Sequence, residues 1–158
     1  MKQKTDLSTF SLIVTLASVA LFVFLIFFNH PPVYVHVTLI GCLALMLLLG
    51  LYYMPLSIGA DRYAIYINRS LRIKAIPMQE VKSVRICPPT MGALRISGSG
   101  GFMGYWGWFR ERDLGIYFAC YGRSGDCFLV ELHSGRKYIL GCRNASQMVE
   151  HIRQFVKE

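Results

Sequence analysis

The chain has 158 residues, with 17 Lys and Arg against 9 Asp and Glu, which gives a formal charge of +8. Hydrophobic residues make up 54% and charged residues only 16%, below the roughly 25% of an average soluble domain. This balance excludes a disordered chain, a collagen-like repeat and an ordinary highly charged cytosolic domain. The charge is also uneven, because no Asp, Glu, Lys or Arg occurs between Asp6 and Asp61.

The uncharged stretch predicts a hairpin of two membrane-spanning helices. A bilayer core about 30 Å thick needs roughly 20 apolar residues, and residues 10–28 and 33–54 each supply such a run. The Asn-His-Pro-Pro sequence at 29–32 cannot continue a helix, so we expect a short turn between antiparallel spans. A cleaved signal peptide is the alternative for the first run, but the run is longer than the usual core of about 7–15 residues.

Basic residues beside the two runs predict the orientation. They precede the first run and follow the second, and the turn has none: Lys2, Lys4, Arg62, Arg69, Arg72 and Lys74. By the positive-inside rule both termini face the cytoplasm, which predicts a multi-pass membrane protein. The expected division is a cytoplasmic tail at 1–9, a helical hairpin at 10–54 and a cytosolic domain at 55–158. Five cysteines without a Cys-x-x-Cys pair suit a reducing compartment.

From Pro55 onward the apolar spacing changes to the period of two that is typical of strands. The strand candidates are 63–67, 71–75, 81–86, 95–97, 116–121, 127–132 and 137–141. Glycine-containing turns at 123–126 and 133–136 predict hairpins. Asn144 with Gln147 resembles a capping box, and Met148, Ile152 and Phe155 share one helix face. We therefore expect a bent antiparallel sheet of about seven strands, mainly β or α+β, capped by a C-terminal helix.

The segment from Gly98 to Gly115 is rich in glycine and contains both tryptophans. It has no phosphate-binding motif, because neither G-K-[ST] nor a complete G-x-G-x-x-G occurs. Two interpretations stay open: a loop that packs on its own sheet, or a patch that faces the bilayer, where Trp and Tyr favour the interface and Arg meets anionic lipid. The candidate interface residues are Phe102, Tyr105, Trp106, Trp108, Phe109, Arg110 and Arg112.

The domain resembles the bacterial PH-like (pleckstrin-homology-like) domains that are attached to membrane hairpins in proteins of uncharacterised function. The similar pieces are residues 63–67 (YAIYI), 76–84 (IPMQEVKSV), 100–109 (GGFMGYWGWF) and the last strand pair with its helix. The similarity covers residues 56–156 and implies a seven-stranded, strongly bent sheet with a closing helix and no catalytic residues. Two features depart from eukaryotic PH domains: the helix carries Phe155 rather than Trp, and Arg69, Arg72 and Lys74 only loosely match the basic hairpin that binds phosphoinositides.

The function expected from these observations is binding without catalysis. The acids and histidines of the domain are scattered, and no metal-ligand spacing occurs, so no enzyme, cofactor or metal site is predicted. No nucleic-acid motif accompanies the positive charge. We expect a membrane-anchored module that presents its domain to a protein partner or to lipid headgroups. An accessory subunit of a larger membrane complex is the alternative, and the sequence does not specify an oligomeric state.

Overall fold

The computed structural model describes residues 1–28, 32–90 and 92–156. Within these ranges the helices are α1 (Thr9–Phe27), α2 (Val33–Tyr53) and α3 (Ala145–Arg153). The strands are β1 (Lys2–Lys4), β2 (Pro55–Ala60), β3 (Ala64–Arg69), β4 (Ile73–Pro77), β5 (Val81–Ile86), β6 (Leu94–Gly101), β7 (Gly104–Glu111), β8 (Gly115–Tyr121), β9 (Cys127–Leu132) and β10 (Lys137–Gly141).

Helices α1 and α2 form a pair that is long and apolar enough to cross a membrane. They have 19 and 21 residues, and their mean hydropathy reaches 2.7 and 2.2. Most of their apolar side chains are exposed, whereas the core helix of a soluble protein would bury one face. The hydroxyl of Ser8 caps α1 by accepting a hydrogen bond from Ser11 N (3.1 Å). Of the predicted turn at 29–32, residues 29–31 lie outside the described residues.

A four-stranded antiparallel sheet, ordered β1-β2-β3-β4, contains strands from both sides of this helix pair in the chain. Its first strand comes from the segment that we predicted as a tail: Lys2 pairs with Gly59, and Lys4 pairs with Ser57. A strand of three residues carries too little pattern to be recognised in the sequence. The helix pair is therefore inserted between two strands that are hydrogen-bonded neighbours.

The second sheet has six strands in the order β5-β9-β10-β8-β7-β6. The expectation of a single antiparallel sheet of about seven strands is wrong, because the domain has two sheets and because β8 and β10 run parallel. The predicted hairpin at 123–126 is instead a 3₁₀ turn, Ser124–Asp126, from which the chain crosses over. The β9–β10 hairpin, whose turn at 133–136 was predicted correctly, then lies between β5 and β8. The alternation of apolar and polar residues predicts which segments are strands, but not which strands pair with one another in the sheet.

Both faces of the six-stranded sheet are buried at its central strands, β9 and β10. One face, with Phe128 and Leu140, forms a core with Ile58 and Ile67 of the first sheet and with Met148 of α3. The opposite face forms a second core that contains Phe109, Tyr117, Leu129 and Ile139. This explains why β9 and β10 are nearly continuous apolar runs.

Helix α3 closes the domain, as the sequence predicts. Met148 and Ile152 are fully buried, and Phe155 packs against the same core. The predicted capping box does not form, since the N-cap residue Asn144 makes no side-chain capping bond. The backbone N–H of Asn144 instead donates to Oε1 of Gln3 in β1 (2.8 Å). The N-terminal strand thus satisfies a group at the start of the last helix.

Candidate functional site

The segment that the sequence analysis singled out forms a hairpin that packs against the helix pair. It consists of β6, β7 and the turn Phe102–Met103, and we call it the glycine–aromatic hairpin. Met103 has a positive φ of 51°, and it is flanked by Gly101 and Gly104, which also have positive φ. This combination produces a tight turn at the tip of the hairpin.

A second glycine pair brings the two strands unusually close. Gly98 and Gly107 face each other across the hairpin, with φ of 120° and 118°. A Cβ atom at Gly98 would collide with the Trp106 carbonyl, and one at Gly107 would collide with the Ser97 carbonyl. Side chains are therefore excluded from both positions, and a glycine-rich sequence is required by the backbone itself.

Helix α1 binds the tip of the hairpin through two hydroxyl groups. Ser11 Oγ donates to the Gly101 carbonyl and accepts from Gly104 N (2.8 Å). Thr15 Oγ1 accepts from Met103 N (2.9 Å). Ser11 is fully buried, so these bonds satisfy backbone groups that water does not reach. The first turns of α1 and the hairpin therefore form one packed unit.

Helix α2 holds the other side of the same tip. Gly50 has no room for a side chain, since a Cβ there would lie 2.6 Å from Met103 Sδ and 2.7 Å from Phe102 Cε1. One turn further, the ring of Tyr53 stacks on Trp106 with centroids 4.7 Å apart and planes inclined by 10°. Trp106 is consequently buried between its own sheet and α2.

The five aromatic residues that the sequence singled out do not form one surface. Tyr105 stacks on Tyr121 (4.9 Å), and Phe109, on the same face of β7, stacks on Tyr117 (6.1 Å) inside the second core. Trp106 and Trp108 lie on the opposite face of the strand, and Phe102 is half-buried at the tip.

Trp108 differs from these aromatic neighbours because 43% of it is exposed. Its ring meets Phe118 edge-on (5.4 Å) at a cleft of about 440 Å³ that Tyr53 also lines. The strands on either side of β7 carry further exposed apolar side chains: Leu94 and Ile96 in β6, and Ile116 in β8. Arg110 and Arg112 are exposed beside them. The outer strands of the sheet thus carry apolar and cationic side chains together.

Arg69 occupies the space where the helix pair meets the domain. Its guanidinium lies between the rings of Tyr53 (5.3 Å) and Phe118 (5.0 Å), and the residue is only 8% exposed. Its Nε has no hydrogen-bond partner among the described residues. The nearby thiol of Cys120 supplies no counter-charge, because burial raises its pKa to about 11.

The two other basic candidates are also held by tyrosines. Arg72 donates to the hydroxyl of Tyr52 at the end of α2 (3.1 Å). Lys74 donates to the hydroxyl of Tyr138 (2.9 Å) and lies over its ring (4.5 Å). Sequence reasoning missed that Lys2 and Lys4 border the same groove as Arg69 and Arg72. The alternation Lys-Gln-Lys was the available signal, since it puts both lysines on one face of a strand.

The carboxylate of Glu111 is buried, and its hydrogen bonds are to neighbouring groups of the domain. Glu111 accepts hydrogen bonds from Thr90 N (3.2 Å), from Thr90 Oγ1 and from the Tyr117 hydroxyl (3.4 Å). Burial, with a further contribution from Glu111, raises the pKa of Tyr117 well above its usual range. In the part of the chain that the structure describes, no three His, Cys, Asp or Glu residues are grouped as metal ligands.

Two sheets around a shared core, closed by a C-terminal helix, give the domain the mainly β architecture expected of the PH-like class. The sequence profile of the family described as bacterial PH domain matches residues 56–156. The chain belongs to this family, as the resemblance in its sequence indicated. Neither a curated protein nor a solved structure shows significant similarity to the chain.

Proposed function

We propose that this protein is a membrane-anchored, non-catalytic binding module of the bacterial inner membrane. Helices α1 and α2 cross the bilayer, both termini lie in the cytoplasm, and the PH-like domain is held at the cytoplasmic face. There it binds lipid headgroups or a protein partner. The observation that carries the proposal is the attachment of the glycine–aromatic hairpin to both helices through Ser11, Thr15 and Tyr53.

This attachment supports a domain with a fixed orientation rather than one on a flexible tether. β2 begins at Pro55 and α2 ends at Tyr53, so a single residue, Met54, separates them. The exposed Trp108 lies in a cleft that Leu49 of α2 also lines. Trp favours the headgroup region, and Arg110 and Arg112 are suited to anionic lipid at about 1 kcal/mol each.

Tryptophan fluorescence tests the proposal. In vesicles that contain bromine-labelled lipid, we expect quenching of Trp108 in the Trp106→Phe variant. Trp106, measured in the matched Trp108→Phe variant, will be quenched much less because it is buried under Tyr53. Equal insensitivity of both tryptophans to the labelled lipid would contradict interfacial contact.

Reporter fusions test the anchoring and the orientation. A fluorescent protein fused to the C-terminus should fluoresce in the membrane fraction of bacterial cells. Alkaline phosphatase at the same position should be inactive, since it requires the oxidising periplasm to form its disulfides. An active phosphatase fusion, or recovery of the protein in the soluble fraction, would overturn the proposal.

A further inference from the structure

We infer that the outer face of the four-stranded sheet carries a binding groove for an anionic phospholipid, with the phosphodiester held by Lys2, Lys4 and Arg72. This inference rests on the proposed membrane anchoring and names the ligand class. The groove encloses about 710 Å³, room for a phosphoglycerol headgroup. Its N-terminal lysines lie outside residues 56–156, which match the PH family, so the groove is not a feature of the matched domain alone.

The strand register puts the groove beside the ends of the helix pair. One row of paired residues crosses all four strands: Lys4, Ser57, Asn68 and Ile73. The row that contains Lys2 lies two residues along the strands from the row of Lys4. Two residues of a strand span about 7 Å. β1 leads into α1, and β2 follows α2, so the row of Lys4 is the one nearest the helices. In the anchored protein this edge of the sheet lies at the headgroup layer.

The groove has an excess of positive charge with no matching carboxylate. Four cations border it: Lys2, Lys4, Arg69 and Arg72. The acid on its rim, Asp6, is already bonded to Arg143 through Nε (2.8 Å) and Nη2 (3.1 Å), which holds the pKa of Asp6 below its usual range. None of the four cations forms a salt bridge within the described ranges.

Arg69 adds positive charge beside the groove without facing it. It follows Asn68 in β3, so its side chain lies on the opposite face of the strand, where the guanidinium is held between Tyr53 and Phe118. The phosphodiester is therefore assigned to Lys2, Lys4 and Arg72 and not to Arg69.

The apolar side of the groove favours a lipid over a free phosphate ester. Leu71, at the β3–β4 turn, is 66% exposed, and Ile73, at the start of β4, is 63% exposed. Leu56 contributes a third exposed side chain between them and the helices. A headgroup bound by the cations would lay its glycerol and acyl carbons against these residues and against the apolar surface of α2. A soluble phosphate offers nothing to cover them.

The test is lipid retention in nanodiscs by native mass spectrometry. The full chain is reconstituted with phosphatidylglycerol diluted into phosphatidylcholine, and the retained lipid is counted for wild type and for Lys2→Gln/Lys4→Gln/Arg72→Gln. We expect the wild type to retain phosphatidylglycerol in preference to phosphatidylcholine. In the triple variant the ratio of retained phosphatidylglycerol to phosphatidylcholine should fall about tenfold or more, because each substitution removes one charge that attracts anionic lipid. The Lys2→Arg/Lys4→Arg/Arg72→Lys variant keeps the charge and should keep the preference.

A control variant with the same net charge removes cations outside the groove: Lys82→Gln/Arg85→Gln/Arg136→Gln. The inference is overturned if the control loses as much preference as the groove variant, or if the groove variant loses none. The inference is also overturned if millimolar glycerol 3-phosphate displaces the bound phosphatidylglycerol as well as added lipid does. The ligand would then be a soluble phosphate. Failure of the wild type to enter nanodiscs of pure phosphatidylcholine would instead contradict the proposed anchoring.

Discussion

The ring of Tyr53, the last residue of α2, lies parallel to the ring of Trp106 in β7, with centroids 4.7 Å apart. The other side of this contact is occupied by Arg69, whose guanidinium lies 5.3 Å from the Tyr53 centroid. One side chain thus joins the helix pair, the glycine–aromatic hairpin and the four-stranded sheet. The predictions below follow from this shared junction and from the contacts around it.

Replacing Tyr53 with Ala should lower the free energy of unfolding by about 2 kcal/mol, because the stack and a cation–π partner of Arg69 are lost together. Thermal unfolding in detergent, followed by tryptophan emission, measures this. The emission of Trp106 should also shift to the red as water reaches it. The matched control is Tyr63→Ala, since Tyr63 is 75% exposed and stacks on no aromatic ring among the described residues. Equal destabilisation by the two changes would contradict the junction.

Replacing Ser11 with Ala should cost about 1–3 kcal/mol, because the buried Gly101 carbonyl and Gly104 N–H lose their partner. Hydrogen exchange measures the effect locally, and the amides of Met103 and Gly104 should exchange faster. Ser18→Ala is the control, since the one hydrogen bond of Ser18 Oγ within the described part of the chain is to the Val14 carbonyl of its own helix (2.7 Å). Unchanged exchange at the hairpin tip in the Ser11 variant would show that α1 does not hold it.

Replacing Gly98 with Ala should prevent stable folding, at a cost of at least about 3 kcal/mol, because its φ is 120° and the opposite backbone occupies the Cβ position. The yield of folded protein and its unfolding midpoint measure this. Gly125→Ala is the matched control, since a Cβ there meets nothing within 4 Å. A Gly98 variant as stable as the control would contradict the close approach of β6 and β7.

The ion pair between Asp6 and Arg143 should contribute to stability above the usual pKa of an aspartate and not at lower pH. The Arg143 hydrogen bonds lower the pKa of Asp6 from 3.8, so the folded state binds this proton less readily than the unfolded state. The associated stability is therefore present above pH 3.8 and is lost as the pH falls through the lowered value. Wild type should exceed Asp6→Asn in unfolding midpoint at pH 6, and the difference should shrink as the pH falls below 3.8. A difference that is independent of pH would contradict the assignment.

The sequence predicted those parts of the fold that depend on local pattern. Both apolar helices begin and end within one residue of the predicted limits, and β5, β9 and β10 have the predicted bounds. β2 was missed because its sequence, PLSIGA, shows no clear alternation, and β7 was missed because its glycines mask the pattern. The parallel pairing of β8 with β10 depends on contacts between distant residues, which periodicity does not contain.

In the candidate site, too, the sequence predicted what depends on local composition and missed what depends on contacts between distant residues. The glycine–aromatic segment was recognised as unusual, but its partner Tyr53 lies on α2, and neither stacking nor burial of Trp106 follows from composition. Arg69 was predicted as a positive charge beside the membrane, and its burial between two rings did not follow from the sequence. Lys2 and Lys4 join the groove only because β1 pairs with β2 across the intervening helices.

The insertion of the helix pair between β1 and β2 has a mechanical consequence. Because these strands are hydrogen-bonded neighbours, sliding or tilting of one helix against the other requires shear between the two strands. Residues 5–8, which join β1 to α1, are themselves bonded to the domain: Thr5 N donates to the Leu56 carbonyl and Ser8 N to the Gly122 carbonyl. We therefore expect a force on either helix to reach the sheet, and with it the groove beside Lys4.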